Sequence, residues 1–180
     1  MKSVSMFLLA SLIGLSGLFA QAEFYKPKTT VPDNKDEMIG KSEAYLNAGF
    51  AGNIEEASSY LHEGFYEFPA GSGQDSVGKA ESMKEMKTFS ESWKDISWKG
   101  ISTCIKDEDT GNTVVFLWGR AKGTENESGK SVDFMNHQVH LYKDDKIFRI
   151  YNYHDNATIG EQMGFKMVPA EAGEDQAKNK

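Results

Sequence analysis

A single cysteine, Cys104, stands in the 180-residue chain, so no intrachain disulfide can staple it. Proline is almost as scarce: the four are Pro27, Pro32, Pro69 and Pro169. Long stretches are therefore free to run as helix or strand without a forced break. Basic residues are outnumbered, 20 against 27 acidic, which gives a formal net charge of −7. That balance excludes nucleic acid and anionic lipid as expected partners, since both need a basic patch. The chain also has no G-x-S-x-G elbow, no Walker loop and no dinucleotide-binding glycine fingerprint. His137 and His140 mimic an H-x-x-H pair, but an odd separation on a strand sends them to opposite faces. Asp133, His137 and His154 lack a recognised ligand spacing, so neither metal nor other cofactor is expected.

The one long apolar run lies at the start. Lys2 supplies a positive n-region, Met6 to Phe19 an apolar stretch, and Ala20-Gln21-Ala22 a small-x-small cleavage pattern. The stretch is short against the ~20 apolar residues that a membrane span needs. Residues 1–22 are expected to be a signal peptide cleaved after Ala22, leaving an exported product in the periplasm or outside the cell, with no membrane attachment. No cysteine follows the run to take a lipid. Losing Lys2 makes the product one unit more negative. An extended lead-in, residues 23–32, is kept non-helical by Pro27 and Pro32. One domain is expected over 33–164, and 165–180, rich in Gly, Lys, Asn and acids, reads as a disordered tail.

Within the domain the apolar period is helical first and then alternates. Met38, Ser42, Tyr45, Leu46 and Gly49 mark the buried face of a first helix capped at Asp33 or Asn34. Asn53 and Glu56 have capping-box spacing for a second helix, with Ala57, Tyr60 and Leu61 inward and Gly64 as its stop. Phe65 to Phe68 reads as a short strand ended by Pro69 and the Gly71-Ser72-Gly73 loop. From about Ser76, a third helix carries the seam Val77, Ala80, Met83, Met86, Phe89 and Trp93. A methionine-rich seam packs as core, and methionine also suits the wall of an irregular cavity. Four strands follow, Asp95–Lys106, Asn112–Gly123, Ser131–Tyr142 and Lys146–Asp155, then a helical turn from Ala157 to Met163. The plan is α+β, with helices on one face of an antiparallel sheet.

A turn centred on Asp144-Asp145 predicts that Lys143 pairs with Lys146. An unbroken register would then set Leu141 opposite Phe148, Val139 opposite Ile150, His137 opposite Asn152 and Met135 opposite His154. That face is the more apolar and is expected under the helices. It turns polar at His137, Asn152 and His154, where a cavity would satisfy the polar groups. Phe116, Trp118 and Arg120, with Tyr151 and Tyr153, are expected on the outer face. Aromatic and arginine side chains of this kind suit an interface, here a homodimer.

The order of elements resembles the nuclear transport factor 2-like (NTF2-like) superfamily, in particular its SnoaL-like polyketide cyclase and ketosteroid isomerase branch. The likeness is carried by Tyr45-Leu46-Asn47-Ala48-Gly49, the Asn53–Leu61 helix, Phe68-Pro69-Ala70-Gly71 and the closing stretch Val139–Asp155. It covers about Asp33 to Gly164. It implies a cone-shaped, cystatin-like fold: three N-terminal helices on a strongly curved, mostly antiparallel sheet. The isomerase branch moves a proton with a carboxylate base, while a tyrosine and a protonated aspartic acid hold the enolate oxygen. Those positions fall on Phe68, Ser42 and His137, none of which matches, so steroid isomerisation is not expected. Glu67 is adjacent to Phe68 but alternates to the other side of the strand. SnoaL-like cyclases place an acid–base residue over an apolar pocket, a role His137 could take with His154 or Asn152 orienting it. The candidate ligand-binding set is His137, Asn152, His154, Tyr45, Phe68, Met86 and Trp93. Three functions stay open: an exported binder of a small apolar or aromatic molecule, a cyclase-, isomerase- or dehydratase-type enzyme using His137, and a dimerising interaction protein.

Overall fold

A computed structural model describes residues 26–70 and 75–166. The expected leader and its cleavage site, the first residues of the lead-in, the Gly71-Ser72-Gly73 loop and nearly all of the expected tail lie outside these residues. The chain runs β1 (Thr29–Thr30), α1 (Lys35–Phe50), α2 (Ile54–Ser59), β2 (Leu61–Phe68), β3 (Val77–Gly78), α3 (Lys79–Ser92), β4 (Trp93–Asp107), β5 (Thr113–Glu125), β6 (Ser131–Lys143), β7 (Lys146–His154) and α4 (Asn156–Gln162). One sheet holds all the strands in the order β1-β4-β5-β6-β7-β2-β3. Every pairing is antiparallel except β2 with β7. No helix among the described residues is long and apolar enough to cross a membrane.

The helical stripe of α1 buries Met38, Ser42, Tyr45, Leu46 and Gly49, together with Ala48. Asp36 and Glu37 in its first turn complement the helix dipole. Helix α2 follows Asn53, but no capping box closes: the Asn53 side chain reaches Glu56 Oε2 only at 3.5 Å. Nor does Gly64 stop this helix. The chain leaves it at Tyr60 because Leu61 enters the sheet opposite Ile147, whose N–H donates to Tyr60 O at 2.9 Å. The strand expected from Phe65 thus starts at Leu61, with an irregularity before Tyr66 that contains Gly64. Helix α3 starts at Lys79, after Val77 has paired with Glu67 in the sheet. Its buried residues are Ser82 and Met83. Of the expected seam, Ala80 is exposed and Trp93 already belongs to β4.

Besides the irregularity in β2, two further breaks in register shape the sheet. Between Lys94 and Ser97 the β4–β5 pairing skips a residue, and Asp95 takes φ 53°. Asp tolerates that left-handed conformation better than most side chains. The second break lies between β6 and β7. Lys143 pairs with Lys146 and Tyr142 with Ile147, as the turn requires, but Leu141 then meets Arg149 rather than Phe148. Phe148 is the extra residue of a β-bulge, and every later partner is shifted by one: His140 with Ile150, Gln138 with Asn152, Asn136 with His154. The expected inner face of β6 is therefore corrected. Tyr142, His140 and Asn136 turn under the helices and are buried, whereas Met135 is 57% exposed on the outside. Farther across the sheet Gly100 faces Gly119, and a Cβ on either would stand 2.0 Å from Trp118 O or 2.5 Å from Lys99 O. Only glycine permits so close an approach of β4 and β5.

The core packs Met38, Tyr45, Leu46, Ala57, Leu61, Phe65 and Met83 against Val115, Leu117, Ile147 and Ile150. Two polar side chains share it on different terms. Tyr142 Oη lies 2.7 Å from Ser42 Oγ and donates to Met38 O at 3.2 Å. His140 has no exposed surface; its Nε2 meets Gln138 Oε1 at 2.9 Å, its ring abuts Tyr45 edge-on, and its Nδ1 has no partner. Burial pushes the imidazole pKa down to about 3 from its ordinary 6.5. The folded value is thus the lower one, and the unfolded chain takes up the proton first as pH falls. Stability from a neutral His140 is complete above pH 6.5 and drains away between there and about pH 3. We predict that the melting-temperature gap between wild type and His140→Gln narrows steadily from pH 7 to pH 4, because Gln has no proton to gain. A gap that stays constant over this range would contradict the account.

Candidate functional site: a cavity under the helices

Between the helices and the inner sheet face lies a cavity of about 410 Å³. Such a volume falls in the usual range of small-molecule sites, about 300–1,000 Å³. Leu46 and Phe50 of α1, Met86 and Phe89 of α3, and Trp93 and Ile96 of β4 form its apolar wall on one side. Phe134, Ile150 and Ile159 line it from β6, β7 and α4. Trp93 and Ile96 can both face inward only because the Asp95 bulge inverts the alternation between them.

The polar end is built by three strands and one helix. Glu67 of β2, Ser82 of α3, Asn136 and Gln138 of β6, and Asn152 and His154 of β7 all line the cavity. The Glu67 carboxylate accepts from Ser82 Oγ at 2.6 Å and from Asn152 Nδ2. No lysine, arginine or histidine pairs with it among the described residues. Burial raises its pKa above the ordinary carboxylate value, the nearby Glu85 charge adds to this, and the two hydrogen bonds oppose it. Burial likewise raises the Tyr45 pKa, with the Glu67 charge adding to it and a Ser82 hydrogen bond opposing. Burial lowers the pKa of His154, opposed by the Asn156 side chain. Asn152 Oδ1 is buried and has no hydrogen-bond partner.

The structure brings five of the candidate residues, Tyr45, Met86, Trp93, Asn152 and His154, to this cavity. It does not bring His137 or Phe68. The bulge at Phe148 leaves His137 opposite Tyr153 on the outer face, stacked against Trp118 at 4.7 Å between ring centroids. Phe68 stacks on Tyr151 at 4.9 Å, also outside. His137 and His154 are thus on opposite sides of the sheet, and an acid–base role for His137 over the pocket is withdrawn. Glu67, Ser82 and Gln138 were not among the candidates. The alternation Phe65 in, Tyr66 out, Glu67 in, Phe68 out was legible. Deciding which side faced the helices needed Ser82, which lies beside Met83 and Met86 at helical spacing and supplies the hydroxyl that a buried carboxylate requires. Among the described residues no three His, Cys, Asp or Glu side chains converge as metal ligands.

No protein-family model and no curated protein sequence matches the chain. Solved structures do. An epoxide hydrolase of the LEH-like kind from M. tuberculosis superposes with a TM-score of 0.56 at 15% identity, over 72% of this chain and 90% of that one. An NTF2-like protein from Burkholderia xenovorans gives 0.56 at 15% identity, over 71% and 96%. A candidate polyketide cyclase from Xanthomonas campestris gives 0.54 at 16% identity, over 72% and 98%. At such identities the likeness speaks for the fold alone. The helices over a curved sheet, enclosing a cavity at their junction, are the NTF2-like fold.

Proposed function

We propose that this chain is an exported binder of a small, mostly apolar molecule, held in the cavity with its polar group against Glu67 and Asn152. The observation that carries the reading is the Glu67 carboxylate: half-buried, held by two neutral donors, without a paired cation, and set at the polar end of a largely apolar cavity. A side chain arranged in this way costs stability and is common where a ligand or a reaction needs it. Export rests on the leader sequence, residues 1–22. A second reading gives Glu67 a chemical task. Its raised pKa suits proton transfer to or from a bound molecule, and the structural neighbours include chains described as an epoxide hydrolase and a polyketide cyclase. His137 has no part in either.

A carboxyl whose folded pKa exceeds the unfolded one contributes stability below about pH 4.5 and loses it as pH rises through the folded value. Glu67→Gln keeps the shape and removes the charge. The variant should melt higher than wild type at pH 8, with the advantage fading toward pH 4. At this size each kcal/mol relieved corresponds to roughly 2–4 °C. Ala121→Phe, which fills the cavity from β5, should abolish the thermal stabilisation that apolar compounds give to the wild type. Stabilisation that survives in Ala121→Phe would place binding elsewhere. Under the second reading, Glu67→Gln would retain binding and lose turnover.

The outer face supports a proposal about assembly. Ile101, Trp118, His137 and Tyr153 are direct cross-strand neighbours in one row from β4 to β7. Ile101 is 72% exposed and Tyr153 55%. Beside the row, Phe116 stacks on Trp118 at 5.3 Å. Large apolar patches are uncommon on the surface of a monomer. We propose that a second copy of the chain covers it. Sedimentation equilibrium at micromolar concentration should report a dimer, and Trp118→Glu a monomer with an unchanged fold. A wild type that stays monomeric up to 100 µM, about a hundred times that concentration, would rule the assembly out.

A further inference from the structure

Charge and hydrogen-bonding capacity at the polar end of the cavity narrow the ligand to a chemical class. The titratable side chains lining the cavity are Tyr45, Glu67, Glu85, Lys122 and His154. Lys122 Nζ is held 2.8 Å from Asp133 Oδ2, in a network that Arg120 joins. Burial favours the neutral imidazole of His154. Two carboxylates therefore face the cavity with no uncommitted cation among the described lining residues. The unmet hydrogen-bonding need is of one kind as well. Asn152 Oδ1 is a buried acceptor without a partner, and the adjacent Glu67 oxygens each accept one bond while having lone pairs for more. A ligand completing this site must donate hydrogen bonds, and a positive charge on it would supply the counter-ion that Glu67 lacks. Ligand acids are disfavoured, because their carboxylate would meet Glu67 and Glu85. The aromatic walls, Phe89, Trp93 and Phe134, accept both an apolar body and a neighbouring cation.

We propose that the pocket takes an apolar amine, a primary or secondary ammonium on an aromatic or alicyclic body, with the ammonium bonded to Glu67 and Asn152 Oδ1. This rests on the binding reading above and adds the charge and donor character of the ligand.

Two matched probe series test it by isothermal titration calorimetry at pH 7.5. One is tryptamine, tryptophol and indole-3-acetate; the other is 2-phenylethylamine, 2-phenylethanol and phenylacetate. Each series keeps one ring and changes only the terminal group. The expected result is that the amine binds at least tenfold tighter than the alcohol in one series or both, with the acid weakest. Glu67→Gln should remove most of the amine's advantage over the alcohol, and a cooperative thermal melt of the variant shows that it is folded. Equal affinity of amine and alcohol, or an amine preference that survives Glu67→Gln, overturns the amine assignment while leaving the binding pocket in place. If no member of either series binds, the amine assignment falls together with the pocket reading.

Discussion

The extra residue in β7 governs which side chains of β6 line the cavity. Without Phe148 as a bulge, β6 would turn Leu141, Val139, His137 and Met135 toward the helices, and would offer the cavity three apolar side chains and one histidine. With it, Gln138 and Asn152 become direct partners under the helices, and Asn136 meets His154. Two buried isoleucines hold the shift. Ile147 and Ile150 are three residues apart, yet both are fully inside, which a regular strand cannot achieve. Undoing the bulge would expose one of them, at about 1.5–3 kcal/mol for a side chain of that size. Tyr142 adds a polar lock, since its hydroxyl reaches Ser42 and Met38 O only in the observed register. The other bulge, at Asp95, works by the same parity change and lets Trp93 and Ile96 both face the cavity.

That floor gives Glu67 its setting. A carboxyl placed among Phe, Met and Ile side chains gives up hydration that two neutral hydrogen bonds only partly replace. Ser82 and Asn152 orient the group without neutralising it, so its proton affinity stays raised. An arginine partner would have made a structural ion pair and driven the pKa the other way. Leaving the charge without a counter-ion costs stability, and the two hydrogen bonds offset only part of that cost. His140, just behind, is neutral for the same reason of burial, so no protonated imidazole stands near enough to discharge Glu67.

Much of the fold could be read from the residues because it depends on period and punctuation. The α1 stripe, the four long strands and the 144–145 turn all follow from spacing that packing then obeys. Where local rules yielded, a tertiary contact outweighed them. Gly64 looked like a helix stop, but Leu61 gained more by pairing with Ile147 inside the sheet. The floor of the site was harder to read because a bulge is a single skipped residue, and Phe148 is as apolar as its neighbours. The run Ile147-Phe148-Arg149-Ile150 therefore supports either register by hydrophobicity. The three-residue spacing of its isoleucines was the one available signal. Tyr45, Met86, Trp93, Asn152 and His154 all line the cavity, because their side of the chain does not depend on the β6 register. His137 was misplaced because its side does.

The same register change that made the inner face polar made the outer face aromatic. Leu141, Val139, His137 and Met135 had to go somewhere, and they joined Phe116, Trp118, Tyr151 and Tyr153 on the solvent side. Stacking satisfies the rings among themselves, through Phe116 on Trp118, Trp118 on His137 and Phe68 on Tyr151. Arg149 lies over Tyr66 at 4.5 Å and extends the band toward the sheet edge. Stacking does not remove the band from water: Trp118 keeps 37% of its surface exposed. The inner face is thus apolar at Val115, Leu117, Ile147 and Ile150 and polar only around one end of the cavity, while an aromatic band stays on the solvent side. Burying that band against another surface would recover hydrophobic free energy that the stacking alone leaves in contact with water.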